Sequence, residues 1–445
     1  MRMPKRPPDI RNLIGEIQQD PTLFTQMVKA TYLQPSSVKY PHWDQLVHLT
    51  PPEGLTHRQW WLTLKMQRAS LRREIPLTGL EGQPFMYVLA DPIPEALHKG
   101  DMSAGGHIEM PDQITNPDTR DRYYVASLIE EAITSSQLEG ASTTRQAAKE
   151  MIRSGRKPGD RGEQMILNNY LAMKRMGQLR DRPLDTELVL DLHRQVSDGT
   201  LDDQEAVGRF RRSDERIVVA DSLEGSVHHS PPPADELAHR VEAMCRFANG
   251  ETPGEFIHPV LRSIVLHFWL AYDHPFVDGN GRTARALFYW SMLRHGYWLC
   301  EYISISHILR KAPVQYSRSF LYTETDDNDL TYFILYQLQV FDRAVEALHQ
   351  YLKRQAGEVQ RGEAGLKNLS GLNHRQRALI GHALRHPHQR YTIHEHQTSH
   401  NVVYQTARTD LLDLQNRSLL AAEKIRRRWY FTPVSDLEER LGRLT

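Results

Sequence analysis

Cysteine is nearly missing: Cys245 and Cys300 are the only two in 445 residues. That excludes a disulfide framework and any metal site built on cysteine spacing. Two thiols so far apart in sequence read as buried side chains in a reducing compartment. Net charge is missing too. Lys and Arg total 55, as do Asp and Glu, so no overall field draws the chain to nucleic acid or to a membrane. No run approaches the ~18 apolar residues that span a bilayer. The basic start, residues 1–8, is followed by no apolar stretch of signal-peptide length. These absences point to a cytoplasmic, bacterial protein with no membrane partner.

What is present fits a globular chain of about two to four domains, with 40% apolar and 25% charged residues. Helical spacing dominates. Val125, Leu128, Ile129, Ala132 and Ile133 mark a helix over 121–139, with Gly140 as its stop. Leu261, Ile264, Val265, Phe268 and Trp269 mark a largely buried helix that runs into His274 and is broken by Pro275. A further helix opens near Gly281 and runs to Gly296, and another covers 236–247. Two short apolar runs, 215–219 and 226–229, flank the turn 221–225 and read as a β-hairpin. The stretch 79–106 is rich in Gly and Pro and reads as a second small hairpin.

Residues 1–115 offer packing anchors, Trp43, Trp60 and Trp61, but no chemistry, and read as a mixed scaffold or docking region. Residues 355–372, polar and with four glycines, read as a linker. Beyond it, 374–386, 392–400 and 404–415 read as short helices and 419–431 as a two-stranded wing. The expected fold class is therefore mainly α: a scaffold over 1–115, a helical domain over 116–355 and a smaller module over 373–445.

The chemistry concentrates in His274-Pro275-Phe276-Val277-Asp278-Gly279-Asn280-Gly281-Arg282-Thr283-Ala284-Arg285. Gly279 and Gly281 let the backbone approach a ligand closely. The helix that follows presents free N–H groups and its positive dipole end, which suits phosphate. Arg282 and Arg285, three apart, put forked donors on one face. Asp278 is a hard oxygen donor suited to Mg²⁺ bridged by phosphates. His274 can take a proton from an attacking hydroxyl. Phe276 reads as a core peg. Each feature alone is ordinary; their conjunction within twelve residues is not.

This segment resembles the Fic signature, His-x-Phe-x-Asp/Glu-Gly-Asn-Gly-Arg-x-x-Arg, at every specified position, and the resemblance covers roughly residues 120–350. It implies a mostly helical Fic fold with a short hairpin flap, and transfer of AMP from ATP to a Ser, Thr or Tyr hydroxyl of a target protein or of the chain itself. Carried over, His274 is the general base and Asp278 the Mg²⁺ ligand. Asn280 and the backbone of Gly279 and Gly281 hold the α- and β-phosphates. Arg282 contacts the β-phosphate region and Arg285 the γ-phosphate. Gly281 favours nucleotidyl transfer over the Doc-like kinase branch, which typically has Lys there.

The same resemblance extends to Ser135-Ser136-Gln137-Leu138-Glu139-Gly140, which matches the family's inhibitory motif, Ser/Thr-x-x-x-Glu-Gly/Asn. It implies that Ser135 and Glu139 hold Arg285 away from ATP. The hairpin, with Val218, Val227 and His228, corresponds to the flap that clamps a target segment. Tyr289, Trp290 and Tyr316 are candidates for an adenine wall, with Tyr316 preferred. The module over 373–431 is similar to a winged helix-turn-helix, with 404–411 as recognition helix and the basic residues 426–428 in the wing. Such modules bind DNA or dock proteins, and Asp410 and Asp413 oppose a phosphate backbone. A homodimer is the family expectation. Two other readings stand beside AMP transfer: a Fic enzyme that uses another nucleotide or removes AMP, and a nucleotide-responsive DNA-binding regulator.

Overall fold

The computed structural model describes residues 2–18, 22, 25, 27, 40–105, 117–220, 225–363, 371–386, 389–425 and 428–443. The turn expected at 221–224 and the basic pair at 426–427 lie outside these residues. In chain order the larger elements are α1 (Ile10–Gln18), α2 (Trp43–Leu46), α3 (His57–Ala69), β1 (Arg73–Thr78), β2 (Pro84–Tyr87), α4 (Ile93–Gly100), α5 (Pro117–Leu138), α6 (Arg145–Ser154), α7 (Arg161–Leu179) and α8 (Thr186–Ser197). Then come β3 (Val219–Ala220), β4 (Val227–His229), α9 (Leu237–Ala248), α10 (Pro259–Asp273), α11 (Asn280–Arg294), α12 (Ile305–Lys311), α13 (Pro313–Thr325) and α14 (Thr331–Glu363). The last part holds α15 (His374–Arg385), α16 (Ile393–His400), α17 (Tyr404–Asn416), β5 (Leu420–Ile425), β6 (Arg428–Pro433) and α18 (Leu437–Arg443). The class is mainly α, and the described strands form three separate antiparallel pairs.

Local chemistry sets the helix ends. Thr144, Asp160 and Asp185 accept N3 backbone N–H groups at the starts of α6, α7 and α8, which satisfies donors that a helix leaves unpaired. The end of α5 is set by Gly140 at φ +93°, a left-handed conformation that costs glycine little. That stop leaves Glu139 just past the last turn of α5.

The apolar α10 and α11 pack on each other as the centre of the main core, with Phe268, Trp269, Leu287 and Trp290 at most 1% exposed. Ile75, Leu77, Phe85, Tyr87, Ile93 and Leu97 belong to this same core, so residues 75–104 are part of the central body. The hairpin there also starts upstream of the expected stretch, with Arg73 paired to Tyr87. Helix α14 continues to Glu363, into the stretch read as a linker.

Two smaller cores flank the main one: Leu46, Trp60, Trp61 and Leu64 near the N-terminus, and Leu379, Ile380, Leu411, Leu414 and Phe431 in the C-terminal module. In that module α15, α16 and α17 are followed by the β5–β6 hairpin. Of the acids expected to oppose a phosphate backbone, Asp410 turns inward and Asp413 stays part-exposed. Asp410 is 4% exposed and holds Arg375, His396 and Asn373, while Asp413 binds Gln376 and Arg417. Their charge is spent tying α15, α16 and α17 together. Helix α16 also packs against α5 and α6 of the central body.

Candidate active site

The site forms where α10 ends and α11 begins. His274, directly after α10, has φ 44° and ψ 56°, a left-handed conformation that is uncommon for a non-glycine residue and clusters at functional sites. The loop is braced on several sides. Arg211 donates from Nε to the His274 carbonyl and from its backbone N to Pro275 O, each at 2.9 Å. Phe276, fully buried, stacks on His193 with ring centroids 3.7 Å apart and planes 1° from parallel. Gly208 N donates to His193 Nδ1 at 3.1 Å, so His193 Nε2 carries the proton that it donates to Asp278 O at 2.9 Å. Burial lowers this histidine to about 4 against the raising effect of that carbonyl, and it stays neutral.

His274 is arranged as a neutral base. Its Nδ1 lies 3.2 Å from Ala271 O, and a carbonyl only accepts, so Nδ1 holds the proton and Nε2 keeps its lone pair. Burial lowers its pKa to about 4, opposed by the Ala271 carbonyl and by Glu139. Glu139, His228, Gly281, Arg285 and Tyr316 line the same pocket, of about 200 Å³. This is smaller than the roughly 300–1,000 Å³ usual for small-molecule sites, and the carboxylate of Glu139 stands inside it.

Arg285 is 1% exposed. Its Nε donates to Ser135 Oγ at 2.8 Å, and its Nη2 donates to Ser135 O at 3.0 Å and to Glu139 Oε1 at 2.8 Å. Burial would raise the Glu139 carboxyl, but the charge and hydrogen bond of Arg285 outweigh it and hold its pKa down. A Cβ built on Gly281 would lie 2.1 Å from Glu139 Oε1, so the backbone of Gly281 is the floor on which that carboxylate rests.

The residues fit a phosphate-bearing ligand. The start of α11 has no side-chain cap, so its first N–H groups remain for an anion. Arg282 is fully buried, donates from Nη1 to Val196 O at 2.6 Å, and has no hydrogen-bond partner on Nε or Nη2 among the described residues. Asp278 is part-exposed and lies 3.5 Å from Arg161 Nη2 and 3.7 Å from Arg282 Nη2. Its Oδ1 accepts from Gly279 N at 2.6 Å, so that N–H is not left for a phosphate; the carboxylate is a hard oxygen donor of the kind that suits Mg²⁺, which ordinarily needs only one or two carboxylates beside substrate phosphates. Among the described residues no three His, Cys, Asp or Glu side chains group around a metal position.

Other expected positions land differently. The Asn280 side chain is committed to the loop: its Oδ1 accepts from Phe276 N at 2.9 Å and its Nδ2 donates to Phe276 O at 2.8 Å. Only its backbone N–H is left for a phosphate. Tyr289 and Trp290 are buried core residues whose polar atoms bind Ile303 O and Leu179 O, so they form no adenine wall. Tyr316 does line the pocket, and its hydroxyl lies 2.8 Å from His267 Nε2. The hairpin β3–β4 borders the site, with Val218 and Val227 about half exposed.

Comparison with known proteins adds the family. Residues 183–292 match the model of the Fic/DOC family. Over these residues the chain is similar to that family. The protein adenylyltransferase Fic of Drosophila sechellia is 36% identical over 134 residues, 30% of this chain and 25% of that protein, and its counterpart in Drosophila melanogaster matches equally. The chain thus spans about a quarter of the length of the curated relatives it matches. Among solved structures, Fic-1 from C. elegans is 18% identical, covers 78% of this chain and 90% of that one, and has a TM-score of 0.48. A Fic family protein from Desulfovibrio desulfuricans G20 is 19% identical, covers 78% and 97%, and has a TM-score of 0.47.

Three parts of the site carry no sequence signal of their own. His193 and Arg211 brace the loop from far upstream. His229, at the end of β4, faces Glu324 Oε2 through Nδ1 and Tyr272 O through Nε2, both at 2.7 Å. Both partners accept, so the ring is an imidazolium. Burial opposes that charge, but Glu324 outweighs it and raises the pKa. Among the described residues no helix is long and apolar enough to cross a membrane.

Proposed function

We propose that this chain is a protein adenylyltransferase that is held off by its own Glu139. The observation that carries the reading is the neutral His274 with a free Nε2 in the pocket that Gly281 and Arg285 line. In the reaction, Nε2 takes the proton of a Ser, Thr or Tyr hydroxyl. The hydroxyl oxygen bonds to the α-phosphorus of ATP, the bond to the β-phosphate oxygen breaks, and pyrophosphate leaves. The backbone N–H groups of Asn280 and Gly281, with Arg282, cradle the phosphates. Arg285 takes the γ-phosphate when Glu139 releases it. Asp278 would hold Mg²⁺, which would supply charge neutralisation at the phosphates. Tyr316 borders the adenine end.

Glu139 and Ser135 oppose this by occupying Arg285. A triphosphate that cannot reach that cation sits out of line, and a misplacement of 1 Å costs about 10²-fold in rate. The flap supports target binding through its edge. Val218, Val227 and His228 flank an extended segment whose backbone pairs with β3–β4, and His229 fixes the flap's base to α10 and α13.

The test uses purified wild type, Glu139→Gly and His274→Ala with each labelled nucleotide and Mg²⁺, read by intact mass. A gain of one AMP in Glu139→Gly that is absent from Glu139→Gly/His274→Ala is expected. Labelling that persists without His274 overturns the base assignment, and a gain only with another nucleotide overturns the choice of ATP.

A further inference from the structure

A second cavity, of about 1160 Å³, lies between α6 of the central body and the C-terminal module. Its chemistry is lopsided. Arg145, Lys149 and Arg153 sit at i, i+4 and i+8 on α6, which stacks them on one face about 6 Å apart. Across the cleft stand Arg390 and Arg428. Arg145 and Arg156 are paired with Glu130 and Glu163. Lys149, Arg153, Arg390 and Arg428 have no ion pair among the described residues, and Arg153, Arg390 and Arg428 are exposed. The acids facing the same space are Glu150 and Glu395, and the Glu395 carboxylate is already occupied in capping α16.

Aromatic faces stand among these cations. Tyr404, the first residue of α17, is 53% exposed, and Trp429 on β6 is 39% exposed. Lys424 Nζ lies 5.8 Å from the centre of the Trp429 ring, which adds a further cation beside the exposed aromatic surface. Cations that track a backbone, interleaved with rings on which bases stack, are what a single nucleic-acid strand needs. An acidic peptide would use the charges and leave the rings idle.

We propose that this cleft binds a single strand of nucleic acid, with its phosphates on Lys149 and Arg153 of the central body and on Arg390 and Arg428 of the module, and its bases against Trp429 and Tyr404. The site is composite, because neither wall alone holds both the cationic ridge and the rings. Asp410 is buried and Asp413 is paired with Arg417, which lessens the charge that would have opposed it. The proposal is independent of the transfer reaction.

The test is fluorescence anisotropy of the full chain with a labelled oligothymidylate of about 16 nucleotides, with polyglutamate and the matching duplex as competitors. Wild type binds at low salt, and log affinity falls linearly with log salt. Lys149→Glu/Arg153→Glu lowers affinity at least tenfold and reduces the salt slope by about 0.7 per lost contact. Trp429→Ala lowers affinity about tenfold and leaves the salt slope unchanged. All three side chains are at or near the surface, and unchanged melting temperatures verify the fold. No binding at low salt overturns the proposal. So do an unaffected Lys149→Glu/Arg153→Glu variant, polyglutamate competing as well as the oligonucleotide, or preference for the duplex.

Discussion

Arg285 and Glu139, 146 residues apart in sequence, meet at 2.8 Å inside the pocket. The same guanidinium donates two further hydrogen bonds to Ser135. Pairing offsets the cost of burying a cation, and here the end of α5 does the pairing. On the proposed function ATP and α5 compete for one group, and each residue of that competition has its own expected outcome.

Ser135→Ala removes the hydroxyl that accepts from Arg285 Nε. Leaving a buried charged donor without its partner costs about 1–3 kcal/mol. The expected result is a lower melting temperature and partial release: labelling above wild type and below Glu139→Gly. Labelling equal to wild type would mean that Ser135 does not help to hold Arg285.

Gly281→Ala separates the brake from the nucleotide. The new methyl would collide with Glu139 Oε1 and approach Arg285 Nη1 to 3.0 Å, so the carboxylate must move. The same methyl fills the space into which phosphates need to come. Gly281→Ala is expected to stay silent, and Glu139→Gly/Gly281→Ala to label at least ~10-fold less than Glu139→Gly. Equal labelling of the two would place the nucleotide away from Gly281.

The pH profile of Glu139→Gly tests the state of His274. The base works when deprotonated, and its pKa is lowered to about 4 by burial, with the His229 imidazolium and Arg211 acting in the same direction. Activity should rise with pH through a limb well below the ordinary histidine value of about 6.5 and be level above it. Glu139, which raises this pKa, is gone in the variant, so its loss cannot move the limb upward. A limb centred at or above the ordinary value would refute the neutral-base geometry. The shift also has a stability consequence. The unfolded histidine takes up its proton near the ordinary value and the folded one only near 4. The unfolded chain therefore binds more protons in between, and the contribution is complete above about 6.5 and lost as pH falls towards 4.

His193→Ala removes the ring stacked on Phe276 and the donor to Asp278 O. A large-to-small change at a buried site costs roughly 2–4 kcal/mol, so a clear drop in melting temperature is expected. His193→Phe restores the stack without the hydrogen bonds. If it recovers the melting temperature while labelling in the Glu139→Gly background stays low, the bond to Asp278 O positions the loop. If His193→Ala melts and labels like its parent, His193 plays neither part.

The sequence by itself determined the local chemistry: the phosphate-suited start of α11, the glycines beneath it, His274 after an apolar helix, and the Gly140 stop that leaves Glu139 at the end of α5. These are written in neighbouring residues, where helix spacing and backbone freedom act over a few positions. It also marked most of the helices of the C-terminal module. Tertiary structure alone decided which distant groups meet. Nothing local pairs His193 with Phe276, spends the Asn280 side chain on Phe276, or sends Tyr289 and Trp290 into the core. Nor does local sequence turn Asp410 inward or set the cations of α6 opposite Trp429. Those outcomes depend on which faces of separate helices are buried against each other, because a buried polar group must find a partner wherever packing places one, and packing is a property of the whole chain.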